Sequence, residues 1–235
     1  MNVNSCKFDL APNHMYFIKS QLHLAMPEAA RQTFTKAYEN QMTVLGGKER
    51  GDFNLAIMCS NIFSSFFEIG EYDEARKWLG HYEEELLACE QLHVSDSVLV
   101  EGLKGNLALC KAQYLQATGH AEEAAAVYAA ISRKQISMPG NILEAIGYLM
   151  ASGRYDEAAY WYDQLDSTFL TTIEIKPTFD NIATYLSPRY SAYRKAKRTD
   201  EALVMADSIN AAIDSALVHQ KKSDAAELAV IYQTH

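Results

Sequence analysis

The sequence predicts an all-α protein, a right-handed α-α superhelix of about five helix pairs. Three observations predict it: a helix–turn–helix segment recurs four times, apolar residues keep helical spacing along most of the chain, and no alternation of apolar and polar residues supports a sheet. One copy is Tyr148-Leu-Met-Ala-Ser-Gly-Arg-Tyr-Asp-Glu-Ala-Ala-Tyr-Trp-Tyr162. The others run from Phe66 to Leu79, from Tyr114 to Tyr128 and from Tyr193 to Ala206.

In chain order, helices are expected at about 9–24, 28–45, 52–69, 72–93, 96–118, 121–135, 140–152, 155–169, 178–196, 199–220 and 223–234. Pro27 and Pro139 suit helix starts, while Gly46-Gly47 and Ser95-Asp96 suit breaks. The β-branched, proline-bounded stretch at 171–178 reads as an extended connector. Gly70, Gly119 and Gly153 occupy the turn of their copies, where a left-handed backbone costs glycine little; Lys197 takes that place in the fourth. Acidic residues just after each turn face the positive end of the following helix dipole. Ala75, Ala124, Ala158 and Ala202 are small where two helices must cross closely. The whole chain, 1–235, is expected to form a single repeat domain, with its clearest repeats at about 52–93, 100–135, 140–169 and 178–220.

The four alanines are separated by 49, 34 and 44 residues. The pattern of a small residue, glycine, an aromatic, Glu-Ala and a large residue four after the alanine resembles the tetratricopeptide repeat, whose period is 34 residues. Leu79, Tyr128, Tyr162 and Ala206 fill the last place. The Trp and Leu-Gly of that repeat's first helix are missing here. A narrower likeness covers Tyr185-Leu-Ser-Pro-Arg-Tyr190, Arg198-Thr-Asp-Glu-Ala-Leu203 and Asp224-Ala-Ala-Glu-Leu-Ala-Val-Ile-Tyr232. These resemble the tetratricopeptide-like sensor region of bacterial membrane-tethered signalling proteins, of the histidine-kinase or transcription-regulator type. That resemblance implies a piece of a longer chain, an extracytoplasmic (periplasmic) location, and any kinase activity lying outside these residues. Without it, a cytoplasmic location is expected.

Composition narrows the partners. A net charge of −9 and a pI near 5.3 argue against nucleic acid or an anionic membrane surface. The densest positive group, Arg189, Arg194, Lys195, Lys197 and Arg198, reads as a solvated helix end. No stretch of 18 apolar residues exists, so no membrane insertion is expected. The four cysteines, Cys6, Cys59, Cys89 and Cys110, form no Cys-x-x-Cys pair and suit small buried positions.

No catalytic motif emerges. His81, Glu85, Cys89 and His93 recur every four residues, but four ligands on one straight helix cannot close a tetrahedron, so no metal and no cofactor are expected. Glu83-Glu-Glu85 reads as solvated helix surface. Ser60, Ser64 and Ser65 lack a nucleophile-elbow context. Solenoids of this kind bind in a groove lined by the first helix of each pair. Counting back from the turns gives Asn61, Ser64, Glu68, Asn106, Gln113, Gln116, Arg194 and Lys195 as groove candidates. Tyr160, Trp161 and Tyr162 are consecutive and cannot all face inward, so Tyr160 and Trp161 are candidate exposed contacts. The expected function is therefore non-enzymatic binding of a protein, a peptide or a second copy of the chain, as a signalling sensor or as a free-standing adaptor. An enzyme with an unrecognised site is the third reading.

Overall fold

The computed structural model describes residues 27–44, 53–92, 97–138, 140–168 and 178–233. Every regular element among them is helical and none is a strand. We label these α1 (Pro27–Val44), α2 (Phe53–Glu68), α3 (Tyr72–Leu92), α4 (Ser97–Ala117), α5 (Ala121–Ala129), α6 (Arg133–Ile136), α7 (Asn141–Ala151) and α8 (Tyr155–Thr168). Then follow α9 (Phe179–Asn181), a π-helical stretch (Ile182–Leu186), α10 (Ser187–Lys195) and α11 (Thr199–Gln233). The expected helix at 9–24 and nearly all of the connector at 171–178 lie outside the described residues; only Thr178, the extended N-cap of α9, is seen.

The four turns share one geometry. Gly70, Gly119 and Gly153 take φ of 79°, 88° and 77°, and Lys197 takes 58°. In each, the next residue donates its N–H five positions back: Glu71 to Phe66 O at 3.0 Å, His120 to Leu115 O at 2.8 Å, Arg154 to Leu149 O at 2.9 Å, Arg198 to Tyr193 O at 3.0 Å. That bond satisfies a carbonyl the ending helix would otherwise leave unpaired. Each following helix then opens with the repeat alanine donating four residues back, at 2.9 to 3.1 Å. Ala75, Ala124 and Ala158 are fully buried and Ala202 nearly so. The fourth turn, with lysine where the other copies have glycine, is thus built like the rest.

Two expected boundaries differ. The helix expected at 121–135 stops at Ala129, and Ser132 caps the separate α6 by accepting from Gln135 N, while the Gln135 side chain returns to the Ser132 N–H. The helices expected at 199–220 and 223–234 are one, because nothing between Gln220 and Asp224 breaks a helix. In the π-helical stretch, Ser187 N donates five residues back to Ile182 O. The cause is the next residue: Pro188 has no N–H to continue the α ladder, so the chain widens by one residue there.

Residues 1–144 and 145–235 form two compact units, the division passing within α7. In the first, α3 packs on α2 and α4, α4 also touches α2, α5 and α6 sit on α4, and α1 covers α2. Phe34, Phe63, Phe66, Trp78 and Tyr82 dominate its core, with the Phe34 and Phe66 rings 5.4 Å apart. Burying each such ring stabilises by roughly 1.5–3 kcal/mol. In the second unit α10 packs on α8 and α11. Tyr148, Leu149, Trp161, Tyr162, Tyr193 and Met205 are buried there.

Candidate binding surface

On α2, Asn61 and Glu68 are exposed and Ser64 half-buried. Together with exposed Ile57 they form one stripe at positions i, i+4, i+7 and i+11. Gln116, half-buried, lies on the neighbouring α4. These four candidates remain at the surface in the first unit.

The other two in that unit are structural. Asn106 Oδ1 accepts from Ser60 Oγ at 2.8 Å and lies 3.2 Å from Tyr82 Oη, with Cys110 Sγ 3.8 Å away. Leu103 O, 3.0 Å from the same phenol, is the alternative acceptor for its one proton. This network ties α2, α3 and α4 through a polar centre in an otherwise apolar core. Gln113 Nε2 donates to Glu144 O at 2.9 Å and to Glu144 Oε2 at 2.5 Å, fastening α4 to α7. Asn141, buried at the start of α7, donates to Gly102 O at 2.9 Å and Gln135 O at 2.8 Å.

Glu85 departs from its expected place on the surface: it is fully buried, with the Tyr38 hydroxyl from α1 donating to it at 3.2 Å. It follows Ala75 and Tyr82 on the inward stripe of α3, and Cys89 continues that stripe. His81 stacks at the edge, its ring 5.3 Å from both Tyr38 and Trp78. His93 lies outside the described residues. Among the described residues no group of three or more His, Cys, Asp or Glu could hold a metal ion. Burial, with the Glu85 charge added, pushes the Cys59 thiol far up; burial, with Glu144, does the same to Cys110. Both therefore stay protonated at neutral pH and are poor nucleophiles.

In the second unit, exposed Lys195 and Arg194 lie over tyrosine rings, at 4.9 Å from Tyr155 and 5.9 Å from Tyr190. Arg189 and Arg198, expected at a solvated helix end, are instead half-buried. Both flank the Tyr193 ring, at 5.3 and 4.8 Å. The Tyr193 hydroxyl donates to Asp163 Oδ1 at 2.7 Å and accepts from Arg189 at 2.8 Å, while Arg198 donates to Asp163 Oδ2 at 2.8 Å. The Asp163 and Glu201 carboxylates hold the Arg198 guanidinium above its ordinary range, and burial pushes the Tyr193 phenol up. Sequence reasoning missed this cluster, although Tyr193 occupies the place of Phe66 and Leu149 in the repeat and so belonged to the core. Tyr160 is on the surface, 38% exposed, whereas Trp161, given as its companion contact, is 3% exposed, because it shares the inward face with Ala158 and Tyr162.

Among the described residues no helix is long and apolar enough to cross a membrane. Compared with known proteins, the chain matches no family model, no curated protein and no solved structure.

Proposed function

We propose that this chain is a non-enzymatic protein- or peptide-binding module of tetratricopeptide-like repeats, arranged as a right-handed superhelix. We further infer that it is the sensing region of a bacterial two-component or related signalling protein. One observation carries the binding reading: four turns between Phe66 and Ala202 share a left-handed residue, a five-back hydrogen bond and a buried alanine. Repetition of one supersecondary unit produces that, and such arrays function by presenting an extended surface. The packing of α2 on α4 supports it, since first helices of successive pairs line the groove in a solenoid. The sensor assignment rests on the likeness at 185–190, 198–203 and 224–232. The second reading, a cytoplasmic adaptor or scaffold, uses the same repeats in another setting.

A peptide-display selection against the purified chain tests the binding reading. Selected peptides should lose affinity for Ile57→Glu and Glu68→Lys, exposed substitutions that leave the unfolding midpoint unchanged. Selection of nothing, or of peptides indifferent to both changes, overturns it. Sequencing the gene on both sides separates the two settings: a secretory signal before and an apolar span of about 20 residues after support the sensor.

A further inference from the structure

Helix α11 carries apolar residues on two opposite sides. Ala202, Met205 and Ala216 are buried, and the helix packs on α10 and the π-helical stretch. The other side bears Leu203, Val204, Leu217 and Val218, exposed by 61, 66, 43 and 51%. The two pairs are two heptads apart, so at 100° per residue the second lies within about 40° of the first. A single exposed leucine needs no explanation; two matched pairs on one face do.

The order of residues along this face is self-complementary. Laid antiparallel on a second α11, with the two-fold axis between Asn210 and Ala211, Leu203 meets Val218 and Val204 meets Leu217. The same register sets exposed Asp200 opposite exposed Lys221 of the second copy, twice by symmetry. A parallel in-register pair would instead set Asp200 against Asp200 and Lys221 against Lys221. The antiparallel register also opposes itself: Asp207 faces Asp214 of the second copy, likewise twice by symmetry. Like charges so placed weaken the pairing.

We propose that the outer face of α11 docks on the same face of a second copy of this chain, as an antiparallel, isologous pair. This names one partner within the protein-binding reading and rests on it. A contact of this length is small, so dissociation in the micromolar range or weaker is expected.

Sedimentation equilibrium of the full chain tests the pairing. A monomer–dimer equilibrium is expected, weakened roughly tenfold or more by Leu203→Glu or Leu217→Glu, each of which enters the contact twice. Asp200→Lys and Lys221→Asp should each weaken it several-fold and restore it when combined, whereas a parallel pair would ignore each alone. Asp207→Asn should tighten it. A chain that stays monomeric, a dimer indifferent to Leu203→Glu, or charge reversals without effect would each overturn the proposal. A monomer that still binds selected peptides overturns the pairing alone; a dimer that selects none overturns the groove reading and leaves the pairing standing.

Discussion

At Lys197 the fourth turn adopts a backbone that the first three reserve for glycine. A left-handed non-glycine residue is strained by roughly 1–2 kcal/mol, and glycine gives back about 0.5–1 of that through its freer unfolded chain. Lys197→Gly should therefore stabilise by about 0.5–1 kcal/mol. Gly153→Ala should do the reverse, again by about 0.5–1 kcal/mol, since no atom stands within 4 Å of the added methyl and only the backbone objects. Urea midpoints at constant slope read both. Tyr162, four residues after its repeat alanine, gives a pH signature. Burial pushes its phenol from 10.0 up to about 12. The folded state thus holds a proton that the unfolded state releases earlier, so stability is intact below pH 10 and falls as pH climbs toward 12. The loss attributable to this group is up to roughly 2–3 kcal/mol. Tyr162→Phe should flatten the stability profile across that window, and an unchanged slope would refute the assignment.

At the scale of elements, one substitution has opposite signs at two helical glycines. Gly80 on α3 faces open space, so Gly80→Ala should stabilise by up to about 1 kcal/mol through helix propensity. A methyl at Gly105 on α4 would stand 2.8 Å from Gln135 Cβ and 3.0 Å from Asn141 Nδ2. A Cβ cannot swing aside, so α6 must shift, and Gly105→Ala should destabilise by about 1–3 kcal/mol despite its propensity gain. Thermal melts of the two variants decide it; equal shifts would mean that α6 leaves room on α4 for a methyl at Gly105. The same elements show what a sequence discloses. Turns at Gly70, Gly119 and Gly153 were legible because a left-handed residue, an acidic first turn and a small crossing residue fall at fixed offsets. The break before α6 was not, because its only signal is the Ser132–Gln135 box inside a continuous helical pattern. Asn106 and Gln113 show the limit for the binding surface. Counting from turns places them on the right helix, but their rotation toward Tyr82 and Glu144 depends on neighbours in other segments. Glu85 is hidden for a different reason: its run of neighbouring glutamates reads as surface, while the inward face is set by its spacing from Ala75 and Tyr82.

At the scale of the whole chain, each unit holds one of the protein's two tryptophans, and both are buried: Trp78 in residues 1–144 and Trp161 in residues 145–235. Compact units with separate cores need not unfold together. The first unit surrounds Trp78 with Phe34, Tyr38 and His81 at 5.3 to 6.4 Å. It also carries the Ser60–Tyr82–Asn106 network. The second relies on smaller alanine crossings and the Tyr193 cluster, and its longest helix keeps two apolar pairs on the surface. The second unit should therefore unfold first. Trp161→Phe leaves Trp78 as sole reporter of the first unit, and Trp78→Phe leaves Trp161 to report the second. In urea, the fluorescence midpoint of the Trp78 reporter should lie above that of the Trp161 reporter, with the far-ultraviolet circular dichroism of each variant spanning both transitions. Each Trp→Phe change weakens the unit that it silences rather than the one being watched, so the order of midpoints survives the substitution. Coincident transitions would instead mean that α7, continuous across the division, couples the units strongly enough to melt as one.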